Sequence, residues 1–129
     1  NTTTIQRILK EDPKNFIKRM GIIETFEFAA EGMAVAVGDD DEILSQVMAA
    51  QTADTMLSMS DVEASFVAIR IDKNTVGISA RSLCTVNVQR IMEKLGGGGH
   101  LTNAATQIKD KSIQEARELL VEKIIESTE

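Results

Sequence analysis

The residues best suited to chemistry are four consecutive glycines, Gly96 to Gly99, followed at once by His100, the only histidine of the chain. Residues without a Cβ let backbone N–H groups approach a ligand closely and form a concave anion site. A histidine beside them can donate a hydrogen bond to a phosphate oxygen. The alternative is a flexible linker with an incidental histidine. Against it, the run lies between a predicted helix and a predicted strand inside one small domain.

A second candidate is the segment TVGISARSL, residues 75–83, which reads as a strand. Alternation along that strand places Gly77, Ser79 and Arg81 on one face. A small residue, a hydroxyl and a guanidinium at a strand end are suited to an anion. The glycine run does not match either familiar phosphate loop: no Gly-Lys-Ser/Thr follows it, and it comes after a helix rather than a strand.

Composition limits the function classes. The chain has 129 residues, enough for one domain with a core of its own, and its net charge is −6. Duplex nucleic acid binds to clustered Lys and Arg, and the sequence contains no such cluster. A small phosphorylated ligand stays open, because a local site can oppose the global charge. Cys84 is the single cysteine, which suits a reducing compartment, and its neighbourhood offers no base for nucleophilic catalysis.

These candidates need elements to position them. The lead NTTTIQRILKEDPKNFIKRMGII predicts helices broken at Pro13, with Asp12 as N-cap. After it, hydrophobic periodicity and turn signals predict the order β-β-α-β-β-α-β-α. That order predicts an α/β domain: a mixed sheet of about five strands with helices mainly on one face, preceded by a helical connector.

Helix caps are the clearest local signals. Asn87 and Ser112 precede two amphipathic segments, and Ser112 is followed by Glu115 in capping-box spacing. Asp39 and Glu42 have the same spacing at the start of a third helical segment, GDDDEILSQVMAAQTADTMLSMS. The aspartate triplet 39–41 therefore indicates a cap rather than a calcium loop, whose glycine and distal glutamate are missing.

Four segments carry a family resemblance: GISARSL, NVQRIMEKLGGGGHLTNAAT, QTADTMLSMSDVEASFVAIR and the lead LKEDP. Together they resemble the DHH-associated domain, the second lobe of the DHH phosphoesterase superfamily, in its cyclic-di-AMP phosphodiesterase branch. The resemblance implies two parts. Residues 1–24 would be a helical connector from a missing catalytic lobe, and residues 25–129 would be the substrate-binding domain.

The resemblance also implies a substrate site. Its predicted residues are Ser79, Arg81, Ser82, Gly97, Gly98, Gly99, His100, Asn103, Ala104 and Ala105. It implies no catalytic residue, metal ligand or cofactor in this chain, because a divalent metal, typically manganese, is held by Asp and His ligands of the DHH lobe. With one histidine and no Asp-His-His triplet, this chain is expected to be inactive alone.

The implied partners are a cyclic dinucleotide or a short linear dinucleotide, the DHH lobe of the same parent chain, and a second copy in a homodimer. The parent is expected to be anchored in the cell membrane with this part on the cytoplasmic face and without direct membrane contact. Three alternatives stay open. They are an oligoribonucleotide or phosphonucleotide hydrolase lobe, a nucleic-acid-binding accessory module, and a plain dimerisation domain.

Overall fold

A computed structural model describes residues 10–129, which form one mixed β-sheet packed between helices. The elements are α1 (Pro13–Ile23), β1 (Glu27–Ala30), β2 (Met33–Val37), α2 (Gln46–Met56), β3 (Ala64–Asp72), β4 (Thr75–Ser82), α3 (Val88–Glu93), β5 (Gly98–His100), β6 (Asn103–Lys109) and α4 (Ile113–Ser127). The strand order is β1-β2-β3-β4-β6-β5. Strands β2 and β3 are parallel, and every other neighbouring pair is antiparallel. The predicted α/β class with a mixed sheet is confirmed.

The sheet has six strands rather than about five, and the additional strand is β5. It consists of Gly98, Gly99 and His100, which pair with β6. The glycine run was predicted as a loop because glycine has a low strand propensity and the run shows no alternation of apolar and polar residues. Pairing with β6 makes part of it an edge strand instead, while Gly96 and Gly97 remain in the turn that leads into it.

Helices cover both faces of the sheet, so the prediction of helices mainly on one face is wrong. Helices α3 and α4 pack on the face that carries Val35 and Phe66, whereas α1 and α2 pack on the face that carries Ala34 and Val67. The physical reason is visible in β2 and β3. Both strands are apolar at consecutive positions, and a strand buried on both faces needs a helix layer on each.

Three predicted caps are confirmed. The Asp12 side chain accepts a hydrogen bond from the Lys14 backbone N–H at the start of α1, where Pro13 is the first helical residue. Asn87 caps α3, and Ser112 forms a capping box with Glu115 at the start of α4. Ile22 of α1 is buried in the core beneath α2. The connector role of residues 1–24 stays a prediction, and residues 1–9 lie outside the described part of the chain.

The cap predicted at Asp39 is wrong, because α2 begins at Gln46 with Ser45 as its N-cap. The aspartate triplet instead stabilises the loop before the helix. Asp40 accepts hydrogen bonds from the Arg70 guanidinium on β3 and from the backbone N–H of Ile113, the first residue of α4. One carboxylate therefore joins the loop, the central sheet and the last helix.

Candidate functional site

The strand register brings three predicted residues into one row. Arg81 on β4 pairs with Asn103 on β6, and Asn103 pairs with His100 on β5. Directly paired residues project from the same face of a sheet, so their side chains share that face. Neighbouring strands are separated by about 4.8 Å, which places the outer two residues of the row about 10 Å apart. We call Arg81, Asn103 and His100 the polar row.

A second row lies beside the polar row, on the same face. It consists of Ser79, Ala105 and Gly98, which pair across the same three strands. We call this face of β4, β6 and β5 the open face. Helix α2 packs on β3 and β4. On β6, Asn103 and Gln107 are exposed, whereas Ala104 and Thr106 on the opposite face are buried beneath α3.

Arg81 is held at the border between α2 and the open face. Its Nε lies 3.1 Å from Oδ1 of Asp54 on α2, and its Nη1 donates a hydrogen bond to the Ala80 carbonyl at 2.8 Å. The Arg81 side chain is only 15% exposed, whereas that of Asp54 is 62% exposed. A guanidinium with two of its nitrogens already engaged has a fixed orientation, which suits bidentate recognition of a phosphate.

Ser79 lies in the second row but is 1% exposed. The Gln46 side-chain amide, at the start of α2, donates hydrogen bonds to the Ser79 hydroxyl at 2.9 Å and to the Ile78 carbonyl at 3.1 Å. Gly77 lies directly beneath, where an added Cβ would lie 2.3 Å from Oε1 of Gln46. These two hydrogen bonds therefore connect α2 to β4. Gln46 is not among the predicted site residues, because a glutamine in the first turn of a helix is ordinary.

Two predicted residues lie on the other face of the sheet. The Ser82 hydroxyl donates hydrogen bonds to the carbonyls of Val86 and Leu101, and it is buried. Ala104 is part of the core beneath α3 and α4. Strand alternation explains both positions, because Ser82 is one residue from Arg81 and Ala104 is one residue from Asn103. The structure does not bring these two side chains to the polar row.

The glycines of the run have different surroundings. A Cβ on Gly97 would lie 2.1 Å from the Ala105 carbonyl oxygen, and one on Gly99 would lie 2.5 Å from the Cα of Ala104. Both positions therefore need glycine to let the run approach β6. Gly98 differs, since nothing lies within 4 Å of the corresponding position. As the edge strand, β5 also leaves one row of backbone groups without a strand partner.

A shallow depression of about 390 Å³ lies across β6 next to the second row. Its lining consists of Gln46, Gly96, Gly97, Ala105, Thr106 and Gln107. A groove of about 600 Å³ elsewhere on the molecule is larger, but its lining includes the carboxylates of Glu31, Asp61 and Glu63. Because carboxylates repel phosphate, the smaller depression is the better candidate for a nucleotide.

Two further properties concern the described residues as a whole. Within residues 10–129, no three His, Cys, Asp or Glu side chains are grouped in a way that could hold a metal ion. In the same range, no helix combines the length and the apolar character needed to cross a membrane.

Sequence comparison identifies the family to which this fold belongs. The family model described as the DHHA1 domain matches residues 30–127, and the chain belongs to that family. The chain is 55% identical over 125 residues to the cyclic-di-AMP phosphodiesterase PdeA of Listeria monocytogenes serotype 1/2a. It is 52% identical over 124 residues to the cyclic-di-AMP phosphodiesterase GdpP of Geobacillus thermodenitrificans. Each match covers 96% of this chain but 19% of the relative, so the chain spans about a fifth of their length.

Solved structures share the fold. An exopolyphosphatase-related protein from Bacteroides fragilis superposes with a TM-score of 0.82 at 16% identity, covering 98% of this chain and 39% of that one. The C-Ala domain of the alanyl-tRNA synthetase from Aquifex aeolicus superposes with a TM-score of 0.59 at 20% identity, covering 76% of this chain and 96% of that one. The same fold therefore occurs in an exopolyphosphatase-related protein and in an alanyl-tRNA synthetase, and function must be argued from the site.

Proposed function

We propose that this chain is the substrate-binding lobe of a cyclic-di-AMP phosphodiesterase. The polar row carries the proposal: Arg81, Asn103 and His100 present a guanidinium, an amide and an imidazole on one face, in register on three neighbouring strands. All three side chains contain N–H donors, and phosphate oxygens are acceptors. The donors of the polar row extend over about 10 Å, which is long enough to contact a phosphodiester and an adjoining ribose hydroxyl.

The rest of the nucleotide would extend from the polar row over the second row. Gly98 and Ala105 offer a surface without large side chains, on which a ribose or a base could lie. The depression beside them ends at Gln107, whose amide both donates and accepts hydrogen bonds, as the edge of a base requires. The side chains of Ser82 and Ala104 are not part of this proposal.

The reaction itself would belong to the whole parent protein. In that proposal a DHH lobe of the same parent holds a divalent metal, which the family resemblance implies is manganese, and this chain contributes no metal ligand. The metal would activate a water molecule to hydrolyse one phosphodiester bond, while this lobe binds and orients the dinucleotide. The parent would be anchored in the membrane with this lobe on the cytoplasmic face, and the purified chain alone would have no phosphodiesterase activity.

A calorimetric titration of the purified chain tests the proposal. The ligands are cyclic-di-AMP, its linear dinucleotide product and a tRNA. We expect both dinucleotides to bind and the tRNA not to bind. Replacing Arg81 or His100 by alanine should weaken dinucleotide binding on the order of tenfold or more, because a hydrogen bond to a charged group contributes roughly 1.5–3 kcal/mol.

The melting temperature provides the control. Neither Arg81 nor His100 belongs to the apolar core, so both alanine variants should melt close to the unmodified chain. Unchanged dinucleotide affinity in both variants would contradict the proposal. Tight tRNA binding would favour the nucleic-acid module instead, and concentration-dependent association without ligand binding would favour a plain dimerisation domain.

A further inference from the structure

The Arg81 guanidinium is held by an acidic residue that the sequence did not single out. Oδ1 of Asp54 lies 3.1 Å from Nε in an ion pair, and the Ala80 carbonyl accepts a hydrogen bond from Nη1. Within the described residues, the remaining nitrogen, Nη2, makes no hydrogen bond. A guanidinium has five N–H donors in a fixed planar arrangement, so engaging Nε and Nη1 also fixes the direction of the Nη2 donors.

The location of Asp54 is unfavourable for its own helix. It lies in the last turn of α2, which ends at Met56. The C-terminal end of a helix carries partial negative charge, which disfavours a carboxylate there. Aspartate is also among the weaker helix formers. Local helix stability therefore does not account for an aspartate at this position.

The stability of the fold does not account for Asp54 either. Its side chain is 62% exposed, and an ion pair with one such exposed partner contributes little to folding. A residue that conflicts with local preference without a clear gain in stability is a marker of function. What Asp54 does contribute is the orientation of Arg81 at the edge of the open face.

We propose that Asp54 is a positioning residue, which holds the Arg81 guanidinium so that its unpaired N–H donors are available to a phosphate on the open face. This inference rests on the proposed function. A free arginine side chain has many rotamers, and ordering it on binding costs conformational entropy. Holding the side chain beforehand removes that cost from ligand binding.

The proposal makes a prediction opposite to that of simple charge. A carboxylate near a bound phosphate repels it, so by charge alone the removal of Asp54 would tighten phosphate binding. If Asp54 positions Arg81, its removal weakens binding. The sign of the change in affinity therefore separates the two effects.

The test measures cyclic-di-AMP and linear-dinucleotide affinity for the 129-residue chain by calorimetry. The variants are Asp54→Ala, Asp54→Asn, Arg81→Ala and the double variant with alanine at both positions. We expect Asp54→Ala to weaken binding by up to about fivefold, the range for one lost ion pair with an exposed partner. Asp54→Asn should weaken binding to a similar extent, because an uncharged amide removes the charge attraction that holds the guanidinium.

Two readouts separate positioning from a structural role. In the Arg81→Ala background, Asp54→Ala should cause no further loss, because Asp54 acts only through Arg81. The Arg81 Nε–H resonance should be observable by NMR in the unmodified chain and broadened in both Asp54→Ala and Asp54→Asn. Glu118→Ala is the control for the loss of one surface carboxylate, since Glu118 is exposed on α4, on the other side of the sheet.

Each outcome bears on one claim. Equal or tighter binding by Asp54→Ala, with Arg81→Ala weakened, would overturn the positioning role and leave the proposed function intact. The same loss from Asp54→Ala with and without Arg81 would also overturn it. Arg81→Ala and His100→Ala variants that both bind like the unmodified chain would overturn the proposed function itself.

Discussion

Arg81 and Ser79 are alternate residues of one strand on one face, yet their roles in the structure differ. Ser79 is buried and accepts a hydrogen bond from Gln46, whereas Arg81 lies at the border of α2, where it forms an ion pair with Asp54. His100, on the edge strand, is exposed. Exposure of this face therefore increases from Ser79 beneath α2 towards the edge strand.

The glycine run offers a prediction with internal controls. Gly98→Ala should leave stability nearly unchanged, because nothing lies within 4 Å of the added methyl group. Gly97→Ala and Gly99→Ala should each destabilise the chain by about 1–3 kcal/mol, because their methyl groups would overlap the backbone of β6. Thermal unfolding of the three variants measures these differences.

Ligand affinity completes the glycine test. If a nucleotide lies over the second row, the methyl group of Gly98→Ala obstructs its approach, and affinity falls while stability is kept. A Gly98→Ala variant with unmodified affinity would show that the ligand does not contact this glycine. The run would then serve only to bring β5 against β6.

At the scale of elements, Asp40 joins three parts of the fold. Partial burial of Asp40 raises the pKa of its carboxyl, but hydrogen bonds from Arg70 and from the Ile113 backbone, together with the Arg70 charge, outweigh burial and hold that pKa below its ordinary value of 3.8. A carboxyl with a depressed pKa in the folded state stabilises the fold above its unfolded-state pKa. That contribution disappears as the pH falls through the folded-state value.

We therefore expect Asp40→Asn to destabilise the chain at pH 7 by about 1–2 kcal/mol, the scale of the charge-assisted hydrogen bonds that it weakens. The difference from the unmodified chain should stay constant down to about pH 5 and shrink below pH 3.8. Urea unfolding at a series of pH values measures it. Asp41→Asn is the matched control, because Asp41 makes no ion pair within the described residues, and a difference independent of pH in Asp40→Asn would contradict the assignment.

Local patterns predicted most elements of the fold. The order β-β-α-β-β-α-β-α and the caps at Asp12, Asn87 and Ser112 follow from signals a few residues long, and the structure has them, with β5 as an additional strand. The start of α2 was predicted six residues too early. Asp39 and Glu42 have capping-box spacing, but contacts of Asp40 with distant residues hold that segment as a loop.

Less of the candidate site than of the fold could be predicted from the sequence. Alternation along β4 placed Ser79 and Arg81 on one face, but strand pairing decides which β6 and β5 residues join them. A short edge strand of glycines has no sequence signature, so the alignment of His100 with Arg81 could not be predicted. Asp54 and Gln46 come from α2, about 30 residues away along the chain, and only packing brings them to β4.

In the whole molecule, helices cover one face of the sheet and only part of the other. Helices α3 and α4 pack on one face of the sheet. On the other face, α2 packs on β3 and β4. The chain is about a fifth of the length of its phosphodiesterase relatives, so in the proposed parent the catalytic lobe would face the open face. Because the net charge of −6 repels a phosphorylated ligand, the binding of a dinucleotide would depend on hydrogen-bond donors close to it.

The most direct test is an NMR titration of the ¹⁵N-labelled 129-residue chain with the linear dinucleotide product of cyclic-di-AMP. We expect the largest shifts on the backbone amides of Gly98, His100 and Asn103 and on the Arg81 Nε–H, with little change at the acidic groove that contains Glu31 and Glu63. Shifts centred on that groove, or no saturable shifts at the polar row at millimolar ligand, would contradict the claim that the open face binds nucleotide phosphate.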